Sequence, residues 1–236
     1  RQKLLAKIIG LQAGTGIHSK TYLVKSVFLL RQKFGFERIG FDFFPHKYGP
    51  FSNTIYSDIN DLRGQGLVDS GKLELTDKGK TACENFQPEN EIFEELNKIM
   101  SEFPSKKALV DFVYENFKDF TVKSVLLESK NLTGKGVCSI GYEGRNIDSF
   151  LNELVKNNIG LVADVRNNAF SMKKGFSKTP LQKSLEKAGI KYLHFPKLGI
   201  KSEKRKNLES REDLQELFKD YSNNLNSRLE SLNELE

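Results

Sequence analysis

The sequence predicts two domains: an α+β domain over residues 1–130, and an α/β domain with a mainly parallel sheet over residues 137–236. Three observations carry this. Helical periodicity dominates the first part and gives way to two short extended runs around a turn. In the second part, short apolar runs alternate with helical segments, the order that builds a parallel sheet. Between them lies Asn131-Leu132-Thr133-Gly134-Lys135-Gly136, a short linker with two glycines and few apolar residues.

In the first domain, Leu4, Leu5, Ile8, Ile9 and Leu11 give an amphipathic helix over Arg1–Ala13, ended by Gly14-Thr15-Gly16. A second helix starts near Ser19 and carries Leu23, Val24, Val27, Phe28 and Leu30. Phe36 to Phe44 reads as an extended segment before Pro45–Pro50. A third helix follows Pro50, with Phe51, Ile55, Ile59 and Leu62 on one face, and Gly64 and Gly66 end it. Leu67-Val68, a turn at Asp69-Ser70-Gly71, and Lys72–Thr76 form a hairpin. Helices over Glu91–Met100 and Ser105–Phe117, and a short segment over Thr121–Ser129, complete the domain.

In the second domain, Val137–Ile140 is a strand with Cys138 buried in it. The turn Gly141-Tyr142-Glu143-Gly144-Arg145 follows, then a helix with Ile147, Phe150, Leu151, Leu154 and Val155. Leu161–Val165 is the second strand. A short helix opened by Pro180 and closed by Gly189 leads to the third, Lys191–Phe195. Lys197–Asn207 is a basic loop, and Ser210 starts a long helical pattern reaching Leu232.

Three helices and a hairpin are the order of a winged helix. The stretch Lys47–Ser52, with Asp61-Leu62 and Leu75–Gly79, resembles winged-helix proteins of phage-associated and antitoxin-like genes. This resemblance implies DNA or protein binding in a defence system. Four blocks of the second domain, Gly141–Arg145, Asp164–Asn167, Gly175–Lys178 and His194–Gly199, resemble the domain-of-unknown-function 488 family. The family has no settled activity; the resemblance implies a compact, Rossmann-like three-layer α/β domain and the expectation of nucleotide or nucleic-acid processing. This chain departs from the family at Ala169 and Met172, where many members carry proline and arginine. Members also continue into a further strand and a Cys-His-Arg block, which implies a domain truncated at its carboxyl end.

In parallel sheets, the loops leaving the carboxyl ends of the strands form the ligand crevice. Tyr142, Glu143, Asp164 and Arg166 are the candidate catalytic groups there: carboxylates to move protons, a phenol to donate or stack, a guanidinium to hold charge. Gly141, Gly144, Arg145, Asn167, Ser177, Lys178 and His194 are candidates for holding a phosphate, since cations and backbone N–H groups at a helix start suit an anion. The alternative is that these cations only pair with Glu143 and Asp164, and that His194 is a core histidine with one hydrogen bond. The Gly-Lys-Ser/Thr ending of a phosphate-binding Walker loop is missing, and no Ser-His-Asp order stands out. In the first domain, Lys47, Asn53, Ser57, Arg63 and Lys72 are candidates for contacting nucleic acid, although Asp58 and Asp61 on the same helix oppose DNA.

The formal charge of +6 makes polyanions plausible partners, although acidic residues are plentiful and the excess is spread over both halves. The candidate partners are DNA or another nucleic acid, a nucleotide, and a protein or a second copy of the chain. The sequence gives no zinc-ligand spacing and no disulfide framework, and it points to no metal or cofactor. No apolar run approaches a membrane span and no leader resembles a signal peptide, so the reading is cytoplasmic.

Overall fold

Apolar residues three and four apart drive the two opening helices, and a serine side chain caps the start of the second. The computed structural model describes residues 1–121, 136–206, 208–228 and 233. Two units, Arg1–Lys156 and Asn157–Glu236, each pack within themselves. The fold is α+β with small sheets, one of them parallel.

In the first unit, helix α1 (Gln2–Gly14) buries Leu4, Leu5, Ile8 and Ile9. Helix α2 (Lys20–Ile39) begins at Ser19, whose hydroxyl accepts the Tyr22 N–H. It runs further than the sequence pattern suggests. Gly35 breaks its geometry at φ 82°, a helical turn resumes over residues 36–39, and Gly40 closes it in the left-handed conformation. The extended reading of Phe36–Phe44 is therefore corrected. Pairing falls instead between β1 (Phe44–His46) and β2 (Gly49–Phe51), which are antiparallel, with Pro45 opposite Pro50. Prolines lack the ladder donor and suit only a ribbon of this kind, whose other edges need no pairing. The Phe28 ring lies edge-on to Phe43, Phe117 and Phe120, with centroids 5.2, 5.0 and 4.9 Å away, and these contacts tie α2 to the chain ahead of residue 121.

Helix α3 (Asn53–Gly64) starts where Ser52 accepts the Ile55 N–H, and it buries Ile55, Ile59 and Leu62. The hairpin after it is reduced to one antiparallel bridge, Val68 to Leu75, with the Asp69 carboxylate accepting from Gly71 and Lys72 N–H in the turn. A helix the apolar pattern does not reveal, α4 (Asp77–Glu84), begins at the Thr76 cap. It packs so closely on the hairpin that a Cβ at Gly79 would lie 2.0 Å from the Leu67 carbonyl oxygen. Helices α5 (Asn90–Glu102) and α6 (Lys106–Asn116) fall where periodicity places them. Most of the Thr121–Ser129 segment and of the 131–136 linker lies in 122–135, outside the described residues.

The strand expected at Val137–Ile140 does not form. Val137 is fully exposed, Cys138 is exposed as well, and residues 136–142 have no regular structure. An apolar run becomes a strand only with a partner for its N–H and C=O groups, and among the described residues this one has none. Helix α7 (Ile147–Lys156) follows, burying Ile147, Asp148, Phe150, Leu151, Leu154 and Val155 and packing on β1 and α3 of the first unit.

In the second unit, β3 (Leu161–Asp164) and β4 (Lys191–His194) pair in parallel, with Val162 beside Tyr192 and Asp164 beside His194. Helix α8 (Lys178–Lys187) connects them, and Gly189 turns the chain into β4 at φ 72°. The basic stretch after β4 holds two turns of 3-10 helix, Pro196–Leu198 and Ser202–Arg205. Helix α9 (Arg211–Asn223) opens with a reciprocal cap between Ser210 and Asp213. It stops short of the pattern that runs to Leu232. Leu225–Arg228 is a 3-10 turn, and residues 229–232 are outside those described. Among the described residues, no helix is long and apolar enough to cross a membrane.

Candidate functional site

The site grows from the end of β3. Side chains at alternate positions of a strand share a face, and residues paired across a parallel ladder point the same way. Asp164 therefore shares a face with Tyr192 and His194. The Asp164 carboxylate accepts from Arg166 Nε (2.8 Å) and Nη2 (2.6 Å), from the Arg166 backbone N–H (3.1 Å) and from the Tyr192 hydroxyl (2.8 Å). The remaining Arg166 nitrogen, Nη1, donates to the Phe176 carbonyl at 2.8 Å. The guanidinium thus bridges the end of β3 to the loop ahead of α8.

Burial alone would push the Asp164 carboxyl up, but the Arg166 guanidinium and the Tyr192 hydroxyl hold it below the usual carboxylate range. The Tyr192 phenol is pushed up by burial and by its bond to that carboxylate, so it stays protonated. Tyr192 escaped the sequence reading, although it stands two residues before His194 on the same strand. That alternation was the available signal.

Above this frame is an open depression of about 400 Å³, lined by Asn167, Asn168, Phe170, Lys178, Thr179 and His194 among others. Asn167 Nδ2 donates to the Pro196 carbonyl at 3.0 Å. Its backbone sits so close to Gly199 that a Cβ there would lie 2.1 Å from Asn167 N and 2.4 Å from the Val165 oxygen, so only glycine fits. His194 Nε2 lies 2.9 Å from the Arg166 carbonyl oxygen. A carbonyl only accepts, so Nε2 donates, and the tautomer this bond selects has its lone pair on Nδ1.

Ser177 stands at the cap position of α8 but does not cap it. Its hydroxyl is engaged by Ser171 instead, accepting from that residue's N–H and donating to its carbonyl, both at 3.1 Å. The Lys178 N–H donates to the Ala169 carbonyl, and Pro180 has no N–H to give. This leaves the Thr179 N–H without a partner among the described residues, at the positive end of a helix. The Lys178 side chain, exposed at the same place, makes no ion pair among the described residues.

The predicted site residues therefore divide. The second unit brings together Asp164, Arg166, Asn167, Ser177, Lys178 and His194, and adds Tyr192, Asn168, Phe170 and Thr179. Gly141, Tyr142, Glu143, Gly144 and Arg145 belong to the first unit, where Arg145 pairs with Glu153 at 3.2 Å. Among the residues proposed to meet nucleic acid, Arg63 donates to the carbonyls of Asp69 and Lys72 and so braces the hairpin. Lys47 lies over the Tyr48 ring, and Lys72 is exposed. Ser57 is half-buried, and the backbone N–H of Asn53 donates to Asp148 at 2.7 Å.

Asp148 also escaped the sequence reading. It is fully buried, and it accepts from the Ser52 hydroxyl (2.9 Å) and the Thr54 N–H (3.0 Å) as well. A carboxylate from α7 thus occupies the start of α3. Its signal was an acidic residue inside the apolar face Ile147, Phe150 and Leu151.

Among the described residues, no group of three His, Cys, Asp or Glu side chains is placed to hold a metal ion. Comparison with curated proteins gave no match, and comparison with solved structures gave none. The model of one family, described as domain of unknown function DUF488, matches residues 146–236. That span holds three of the four blocks read from the sequence and begins just after Arg145. The carboxyl-terminal part of this chain, less than half of its length, is therefore similar to that family.

Proposed function

We propose that the second unit binds a phosphate-bearing ligand, a nucleotide or a nucleic-acid phosphate, in the depression beside α8, and processes it there. The observation that supports this is the start of α8. A helix end with an unclaimed N–H and a lysine at its first position opens onto a recess that also holds a histidine. The Thr179 N–H and the Lys178 ammonium take the phosphate. His194 Nδ1 is the group available to move a proton. In this reading Asp164, Arg166 and Tyr192 hold the loop and His194 in position and do not touch the ligand. Titration calorimetry of the chain with orthophosphate and a panel of nucleotides, with product analysis alongside, tests the reading. Lys178→Ala is expected to weaken binding about tenfold, the effect of one charge-assisted hydrogen bond. Absence of binding by any phosphate compound at low salt would remove the reading.

For the first unit we propose a winged helix that docks on a partner. The order α1, α2, α3 and a braced hairpin supports it. Asp148 at the start of α3 favours a protein surface over DNA as that partner, because a buried carboxylate stands where a phosphate would approach. A regulator whose second unit only senses a ligand is the alternative, and ligand binding without turnover would distinguish it.

A further inference from the structure

We infer that the mouth of the α8 depression is a docking surface for single-stranded nucleic acid, with the Phe170 ring as the platform on which one base stacks. This deepens the phosphate-ligand reading and rests on it. Phe170 is 66 % exposed, yet its loop is pinned on both sides. Its N–H donates to the Asn168 side chain at 3.1 Å, Ala169 before it is buried, and Ser171 after it is clamped by Ser177. A large apolar ring displayed on a fixed loop at the rim of a recess of mixed polar and apolar lining is a surface suited to a flat apolar partner with a polar edge. A nucleobase fits that description, and its edge would meet the Asn168 and Thr179 side chains while the phosphate beside it reaches Lys178.

The charge of the surrounding chain points the same way. Residues 165–206 carry twelve lysines and arginines against two glutamates, although the whole chain is only +6. The excess assigned to the second half is thus concentrated on the loop after β3, α8, β4 and the turns that follow. A positive surface that follows a backbone, interleaved with an exposed aromatic ring, is how unpaired strands are held without sequence readout. A duplex hides the faces of its bases, so this ring favours an unpaired one. An anionic membrane is the competing partner for Phe170, Met172, Lys173 and Lys174. Beside the apolar Ala169 and Pro180, the recess offers Asn168, Thr179 and His194, hydrogen-bonding groups that acyl chains leave unused and a base edge can meet, which favours the base.

Fluorescence anisotropy with the full chain tests this, using four probes: a labelled single-stranded 12-mer, an abasic 12-mer of equal charge, a blunt duplex, and vesicles of phosphatidylserine and phosphatidylcholine. Calorimetry with orthophosphate reads the phosphate site separately. The single strand is expected to bind at least tenfold more tightly than the duplex or the abasic strand. Phe170→Ala should weaken the single strand by about fivefold to a hundredfold, leaving orthophosphate binding and the circular dichroism spectrum unchanged. Equal binding of single and abasic strands, or an indifferent Phe170→Ala variant, overturns the stacking surface while the phosphate site stands. Vesicle binding without strand binding assigns the loop to a membrane and overturns it as well. If the strand binds through Phe170 but orthophosphate does not, the surface stands and the α8 phosphate site falls.

Discussion

Arg166 and Lys25 show how one residue's partners decide its role. Three Arg166 nitrogens donate within the unit, two to Asp164 and one to the Phe176 carbonyl, and its side chain is 20 % exposed against 5 % for Asp164. We predict that Arg166→Ala lowers stability by about 2–3 kcal/mol, since it strands a nearly buried carboxylate. Arg166→Lys should recover little of this, because an ammonium cannot copy the fork. Chemical denaturation checks both, and an unchanged midpoint would return Arg166 to the ligand. The folded-state pKa of Asp164 lies below its unfolded value, so its stabilisation is present above about pH 4 and is lost as pH falls through the folded value.

Lys25 is the opposite case. Its ammonium is buried and, among the described residues, donates to the Tyr48 and Pro50 carbonyls, both at 2.8 Å, and burial lowers its pKa to about 7. Between about pH 7 and pH 10 the unfolded chain then binds more protons at this site, and stability should rise with pH across that window. Lys25→Met should flatten this rise while lowering stability overall, because two carbonyls lose their donor. Unfolding curves at several pH values measure it, and an unchanged slope in the variant would contradict the assignment.

At the scale of the element, what the sequence made legible was what local chemistry fixes. Ser19, Ser52, Ser105 and Ser210 cap helices that periodicity locates, and β3, α8 and β4 follow from apolar alternation around Pro180 and Gly189. Pairing was the failure. Val137–Ile140 has the composition of a strand but no strand partner among the described residues, and Pro45–Pro50 has the composition of a turn yet contributes to two strands. Helix α4 went unseen because its buried residues are only Gly79 and Cys83. The address of α7 was equally hidden, since an amphipathic face does not say what it packs on. Asp148 supplies that address. Burial pushes its carboxyl up while hydrogen bonds from Thr54, Asn53 and Ser52 oppose the shift, so the element is held by polar bonds that must all be made. Asp148→Ala is expected to cost about 1–3 kcal/mol, the loss of a helix cap together with stranded donors. Native-state hydrogen exchange should show the Asn53 and Thr54 amides losing protection in this variant, whereas a uniform loss across the first unit would mean global destabilisation only.

At the scale of the whole molecule, the family match and the packing divide the chain at different places. The DUF488 match begins at residue 146, but residues 147–156 form a helix that packs in the first unit, where Asn146 also donates to Asp42 at 2.6 Å. A fragment ending at Thr133 would bare the β1 and α3 surface under α7 and strand the donors that Asp148 accepts. A fragment ending at Lys156 should therefore melt cooperatively and at a higher temperature than one ending at Thr133, and equal melts would show that α7 adds nothing. The central claim concerns the second unit, where a helix start, a lysine and a histidine share one recess. Amide shift mapping by NMR during titration with orthophosphate tests it most directly. The account predicts saturable shifts led by the Lys178 and Thr179 amides and the His194 ring. Saturable shifts centred elsewhere, or none at these three residues at low salt, would contradict it.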